Sequence, residues 1–167
     1  MNIYVMADRN WVIGGDGKLL ASIPFENKTR IKEITGKVIV YTLPYLNQLP
    51  GKQALIGTTN FVWAPGTDVK VKGATVFTDI KSLRAALKKY DDEDIFILDG
   101  ESLYNEFMPD ASVVHVTKID YAYSGNSHFC NLDENPDFVL AADSDELYCF
   151  DIVYRFLRYE RLAKIYK

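Results

Sequence analysis

Two stretches of the sequence have the composition of loops that meet a ligand. The first, VIGGDGKLLASIP (12–24), leaves an apolar run with three glycines, but Leu20 and Ala21 stand where a proline and an aromatic residue are expected in a lid over a flat heterocycle. The second, Asp99-Gly100-Glu101, follows another apolar run and opens a helix. Glycine lets a backbone approach a ligand closely, whereas the two carboxylates favour a helix start and repel anions. The first loop is therefore either a modified lid or an ordinary connection.

The elements that must position these loops alternate along the chain. Pro24, Pro44, Thr78 or Asp79, and Asp99 mark helix starts. The tail is predicted as a hairpin of long strands around ADSD (142–145). This order predicts one α/β domain over 1–167, with a mostly parallel, twisted central sheet and an antiparallel C-terminal edge. Apolar runs predict the other strands at 2–7, 37–42, 53–59, 71–78, 94–98 and 112–119.

Composition excludes several classes of function. The 167 residues are 48% apolar and carry a net charge of −4, so nothing draws the protein to nucleic acid or to an acidic membrane. No apolar run is long enough to span a bilayer, and the first residues do not form a secretory signal. Cys130 and Cys149, each beside aromatics, are predicted to be buried thiols of a cytoplasmic protein. With two histidines in all, no metal site is expected.

A set of short strings, in this order and spacing, resembles the dihydrofolate reductase family. No single string is specific, but together they cover nearly the whole chain. The resemblance implies a dihydrofolate-reductase-like fold and NADPH-dependent reduction of dihydrofolate to tetrahydrofolate. The strings are ADRNWVIGGDGKL (7–19), IKEIT (31–35), LPGK (49–52), ILDGESLYNEFMP (97–109), VTKID (116–120), GNSHF (125–129) and YCFDI (148–152).

The resemblance implies one acidic residue in the pterin pocket, just after the proline that opens the first helix. Counting forward from Pro24 gives Glu26, whereas counting backward from Ile31, which matches an apolar folate-contacting residue, gives Asn27. Asparagine can hydrogen-bond the ring but cannot carry the charge. Glu26 could equally be a first-turn carboxylate that stabilises its helix. Thr117 matches the threonine that hydrogen-bonds the acid.

Other substrate-side positions depart from the family pattern. Lys52 replaces an arginine that pairs with the folate carboxylate, and it loses the planar two-pronged contact. Met6 stands where a small residue usually meets the pterin. Leu20 and Ala21 take the places of the lid's proline and tryptophan, so closure over the ring is expected to be poor.

The positions implied to bind NADPH depart from the family pattern more than the substrate-side positions do. The resemblance implies NADPH contacts from Ala7, Ile13, Thr42, Thr58, Leu98, Gly100 and Tyr104. However, the family's Gly-Arg-x-Thr phosphate run reads Tyr41-Thr42-Leu43-Pro44, without the arginine. The Gly-Gly pair has become Asp99-Gly100, and each carboxylate about 4–6 Å from a phosphate would cost a few kcal/mol. Residues 57–60 keep hydroxyls but no cation.

These replacements favour weak or lost reductase activity. The alternative is a non-catalytic binding, scaffold or inhibitor protein on the same fold. The expected ligands are a pterin or folate if the chain is active, and a protein partner if it is repurposed. Phe61 and Trp63, in the loop-like segment NFVWAPG, are the candidate exposed aromatics, although a core role fits them equally well.

Overall fold

The computed structural model describes residues 1–14 and 19–163. Eleven strands and three α-helices lie in these ranges, joined by loops and short 3₁₀ turns. The helices are α1 (Pro24–Ile34), α2 (Ile80–Leu87) and α3 (Glu101–Phe107). The strands are β1 (Asn2–Ala7), β2 (Val12–Gly14), β3 (Val38–Thr42), β4 (Thr59–Trp63), β5 (Ala74–Phe77), β6 (Ile95–Ile97), β7 (Val113–Ile119), β8 (Ser127–His128), β9 (Phe138–Asp143), β10 (Leu147–Cys149) and β11 (Ile152–Arg161).

The main sheet has the order β10-β11-β7-β1-β6-β3-β4-β5, and β9 also pairs with β11. Strands β7, β1, β6, β3, β4 and β5 run parallel, whereas β11 is antiparallel to β7. Every residue of β1 and β6 is buried, as expected for central parallel strands covered on both faces. The predicted α/β architecture with an antiparallel C-terminal edge is confirmed.

Local sequence explains where the helices begin and end. Pro24 is the first residue of α1, where its missing N–H costs nothing. The helix ends before Gly36, which has φ 83° and so adopts a conformation that favours glycine. Asp79 caps α2 by accepting a hydrogen bond from the Ser82 N–H at 2.8 Å. Of the two candidate caps, Thr78 and Asp79, the structure therefore selects Asp79.

The prediction of a strand over 53–59 is wrong, because the strand is β4 and it begins at Thr59. The preceding segment turns at Gly57, which has φ 71°. The Asn60 side chain accepts a hydrogen bond from the Leu55 N–H and donates one to the Leu55 carbonyl, so it takes the place of a strand neighbour. Phe61 is buried and Trp63 packs against the core, so neither is an exposed aromatic.

The tail also differs from the predicted hairpin around ADSD. Strand β9 does pair with β11, but a short β10 intervenes and turns into β11 at Phe150 and Asp151. The string YCFDI therefore forms a tight turn, in which Phe150 has φ 54° and is fully exposed. The prediction of buried thiols is wrong as well, since Cys130 is exposed and Cys149 is half-buried.

Candidate functional site

A cleft lies where three parallel strands end. The carboxyl ends of β1, β3 and β6 meet there, which is the usual ligand position in open α/β sheets. The cavity in the cleft measures about 250 Å³. Six of the predicted ligand-contacting residues line it: Met6, Ile13, Thr42, Leu98, Gly100 and Tyr104.

A smaller cavity of about 130 Å³ adjoins the first and shares Met6 and Arg30 with it. Its wall includes Glu26, Asn27 and Ala21 from the predicted acid and lid positions. Leu20 and Ala21 pack against the apolar cluster around Met6 rather than standing free. The predicted lid glycines Gly15 and Gly17 lie outside the described residues.

Glu26, rather than Asn27, makes the contact expected of the family's acid. Glu26 is only 5% exposed, and its Oε1 accepts a hydrogen bond from the Thr117 hydroxyl at 3.2 Å. The Asn27 side chain instead donates to the Gln48 carbonyl at 3.3 Å. Position 26 therefore places a buried carboxylate beside Thr117, which is the contact expected from the forward count.

Arg30 is the residue of this site that the sequence analysis missed. It lies one helical turn after Glu26, and its Nη2 is 2.9 Å from Glu26 Oε1, with both side chains buried. The guanidinium also donates from Nη1 to the Tyr45 hydroxyl at 3.3 Å and to the Leu98 carbonyl at 3.4 Å. The i, i+4 spacing of Glu26 and Arg30 was the signal that could have identified the pair.

The surroundings of Arg30 keep it charged. Burial by itself lowers the pKa of Arg30, but Tyr45 and Glu26 together raise the pKa above its ordinary value. The guanidinium carbon lies 5.0 Å from the centre of the Tyr4 ring, a favourable cation–π distance. A positive charge therefore borders both cavities of the cleft and is compensated by Glu26.

The main-chain acceptors of the cleft already have protein donors. The Tyr104 hydroxyl shares its one proton between the carbonyl oxygens of Tyr4, at 2.6 Å, and of Leu98, at 2.9 Å. Burial raises the pKa of Tyr104, so this hydroxyl stays protonated. Leu98 thus receives hydrogen bonds from both Arg30 and Tyr104, and its carbonyl offers little to a ligand.

Asp99 closes the other end of the cleft. Its Oδ1 accepts a hydrogen bond from the Thr42 N–H at 2.7 Å, and its Oδ2 accepts one from the Thr42 hydroxyl. A side chain at Gly100 would meet the Thr42 methyl at 2.9 Å, and Gly100 has φ 89°, so both space and backbone require glycine. Burial raises the pKa of Asp99 to about 6, although Thr42 and Arg30 oppose the shift.

The raised pKa of Asp99 makes stability depend on pH. The unfolded chain releases this proton near the ordinary value of 3.8, whereas the native state holds it until about 6. Protonation of Asp99 therefore contributes fully to the free energy of unfolding below about pH 4. The free energy of unfolding falls by about 2–3 kcal/mol as the pH rises to 6. Urea unfolding at several pH values should show this loss in the wild type relative to Asp99→Asn. Parallel pH profiles of the two proteins would contradict it.

Five predicted site residues do not line the cleft cavities. One of them, Thr117 on β7, reaches the cleft only through its hydrogen bond to Glu26. Ile31 packs against the core, and Lys52 is exposed in a 3₁₀ turn. Ala7 is fully buried in β1. Thr58 precedes β4 and accepts a hydrogen bond from the Gly36 N–H, so it lies at the amino ends of the strands, opposite Thr42. The misplaced strand at 53–59 is the reason that Thr58 was assigned to the wrong edge.

The charges of the cleft are few. Among the described residues that line the larger cavity, Arg30 is the one cation, and Asp99 and Glu101 are the acids. Within residues 1–14 and 19–163, no cluster of histidine, cysteine or acidic side chains could hold a metal ion. None of the helices in the same ranges is long and apolar enough to cross a membrane.

These features define an α/β protein with a ligand cleft at the carboxyl ends of its parallel strands and a buried Glu–Thr pair on its wall. The family model for dihydrofolate reductase matches residues 1–161, and the chain belongs to that family. Over 162 residues the chain is 26% identical to dihydrofolate reductase of Bacillus subtilis (strain 168), covering 95% of this chain and 92% of the relative.

Two further comparisons agree with this family. Dihydrofolate reductase of Mycobacterium leprae (strain TN) is 31% identical over 111 residues, which cover 65% of this chain and 66% of the relative. The structure of dihydrofolate reductase from Enterococcus faecalis, complexed with NADP(H) and RAB-propyl, matches with a TM-score of 0.77 at 20% identity. That match covers 96% of this chain and 95% of the other, and it establishes the fold.

Proposed function

We propose that this protein keeps the ligand cleft of the dihydrofolate reductases but reduces dihydrofolate with NADPH weakly or not at all. The buried Glu26–Arg30 ion pair is the observation that carries the proposal. In the family, a lone carboxylate meets the pterin ring and assists its protonation. Here the same carboxylate is neutralised by a guanidinium that is fixed on three sides.

The Glu26–Arg30 ion pair would oppose both the binding of a pterin and its protonation. A pterin that took the Oε1 atom of Glu26 would have to displace Arg30, and the displaced guanidinium would lose its contacts with Tyr45 and Leu98. Leaving such a buried charge without partners costs several kcal/mol. The proposed roles are therefore Glu26 as the former acid, Thr117 as its hydrogen-bond partner and Arg30 as the residue that blocks it.

The cofactor side supports the same proposal. NADPH brings phosphate charge to the cleft, and in the family a run with an arginine meets it. The corresponding wall here presents Asp99, with Glu101 beside it. Arg30, the one cation among the described residues of this lining, is engaged by Glu26. This donor set does not fit a dinucleotide phosphate. Two free thiols, at Cys130 and Cys149, support a cytoplasmic location as part of the proposal.

A spectrophotometric assay of NADPH oxidation with dihydrofolate tests the proposal. The Bacillus subtilis dihydrofolate reductase serves as the positive control. Because an acid catalyst contributes about 10²–10⁴-fold, we expect the rate of this protein to lie about 10³-fold or more below the control. A turnover number within tenfold of the control would refute the proposal and would assign the full reaction to this site.

A further inference from the structure

A second cavity lies behind α1, apart from the cleft. It measures about 300 Å³ and is bounded by α1 on one side and by β7 and β11 on the other. Among the described residues, the linings of this cavity and of the two cleft cavities have only Glu26 and Arg30 in common. The buried ion pair is therefore a partition between the two spaces. We call the second space the rear cavity.

The rear cavity is lined mostly by apolar surface, to which aromatic rings contribute. Five charged side chains also border it: Glu26, Arg30, Glu33, Asp143 and Arg158. The rings of Tyr4 and His115, both in the lining, stack with centroids 4.6 Å apart and planes within 12° of parallel. Phe156 contributes a further ring from β11. Burial lowers the pKa of His115, which favours its neutral, flat imidazole over the imidazolium. Thr29, a small side chain on the facing side of α1, leaves the space between the walls open.

An accessible acceptor lies at this partition. In the described part of the chain, every hydrogen bond and ion contact of Glu26 ends on Oε1. The other carboxylate oxygen, Oε2, has no protein donor there, and no buried side-chain oxygen of the described residues lacks a partner. Oε2 is therefore open to a cavity, where water or a ligand N–H can meet it.

We infer that the rear cavity is a second small-molecule site, which takes a flat aromatic molecule of about the size of indole with one N–H or O–H donor. The ring lies among Tyr4, His115 and Phe156, and the donor meets Glu26. A mostly apolar pocket with a few polar groups is the usual form of such a site.

Titration of the full chain with indole, followed by ¹H–¹⁵N NMR, tests this inference. We expect saturable shifts at millimolar indole or below, centred on the His115 and Phe156 region of the sheet. Thr29→Trp fills the cavity from α1 and should weaken indole binding at least tenfold. Lys28→Trp adds the same bulk to the exposed face of the helix and should leave the affinity unchanged.

A fold check separates lost binding from lost structure. A Thr29→Trp protein without a dispersed spectrum is unfolded. Ala142→Phe, which fills the same cavity from the β9 side, then serves as the test variant instead. Absence of saturable shifts in the wild type would overturn the inference, and so would wild-type affinity in a folded cavity-filling variant. Shifts centred on Met6 and Leu98 would assign indole to the cleft and would overturn it too. None of these outcomes depends on reductase activity.

Discussion

Replacement of Arg30 by leucine is expected to lower the free energy of unfolding by about 3–5 kcal/mol, the usual cost of removing one partner of a buried ion pair. Glu26 would be left with the Thr117 hydroxyl alone in a site that water hardly reaches. The loss should be smaller in acidic buffer than at neutral pH, because a protonated carboxyl tolerates burial better than a carboxylate. Urea unfolding measures both effects.

Two companion variants show whether the loss belongs to the pair. Lys28→Leu removes one exposed positive charge from the same helix and should change stability by less than about 0.5 kcal/mol. Adding Glu26→Gln to Arg30→Leu should recover a large part of the loss, since no charge then stays buried alone. Equal losses in Arg30→Leu and Lys28→Leu, or no recovery of stability in the double variant, would show that the ion pair is energetically unimportant.

Replacement of Asp99 by asparagine should tighten NADPH binding by about 10–100-fold. A carboxylate about 5 Å from a phosphate costs a few kcal/mol at an effective dielectric near 20, and screening by salt reduces this. Asparagine keeps the shape, and its amide can still bind the Thr42 N–H and hydroxyl. Isothermal titration calorimetry of both proteins at neutral pH gives the two affinities.

The pH dependence of binding provides an independent check on Asp99. The wild type should bind NADPH more tightly below about pH 6, where Asp99 takes up its proton, and Asp99→Asn should not show this change. Asp91→Asn removes an equal charge from the exposed loop before β6 and serves as the control for net charge. If Asp91→Asn gained as much affinity as Asp99→Asn, repulsion within the cleft would not be the cause.

Sequence patterns predicted the elements of the fold correctly where apolar periodicity and the positions of proline and glycine agree. The buried strands at 2–7 and 94–98 and the helix opened by Pro24 were all predictable, because apolar runs and a fixed proline φ dictate them. The strand at 59–63 was not predictable, because the segment QALIGTT (53–59) has the same apolar character as NFVW (60–63), which forms most of the strand. The Asn60 side chain decides between them, and that contact exists only in the folded chain.

The candidate site was predictable only in part, because some of its contacts also exist only in the folded chain. Glu26 and Thr117 are far apart in the chain, and the resemblance to a family brought them together before any geometry did. Arg30 was overlooked because a charged residue on a surface-like helix usually faces water. The i, i+4 spacing indicates that Arg30 can pair with Glu26, but the burial of the pair depends on Tyr45 and Leu98, which belong to other elements.

The pairing of β1 also determines when this protein can fold during its synthesis. Strand β1 leaves the ribosome well before its neighbours, which are β6, at Ile95–Ile97, and β7, at Val113–Ile119. The far edge of β7 is covered later by β11, at Ile152–Arg161. Such distant pairing is slow, because long loops must close before their contacts form. A nascent chain that ends before residue 113 therefore exposes an apolar, half-paired strand, and this is the stage at which a chaperone would matter most.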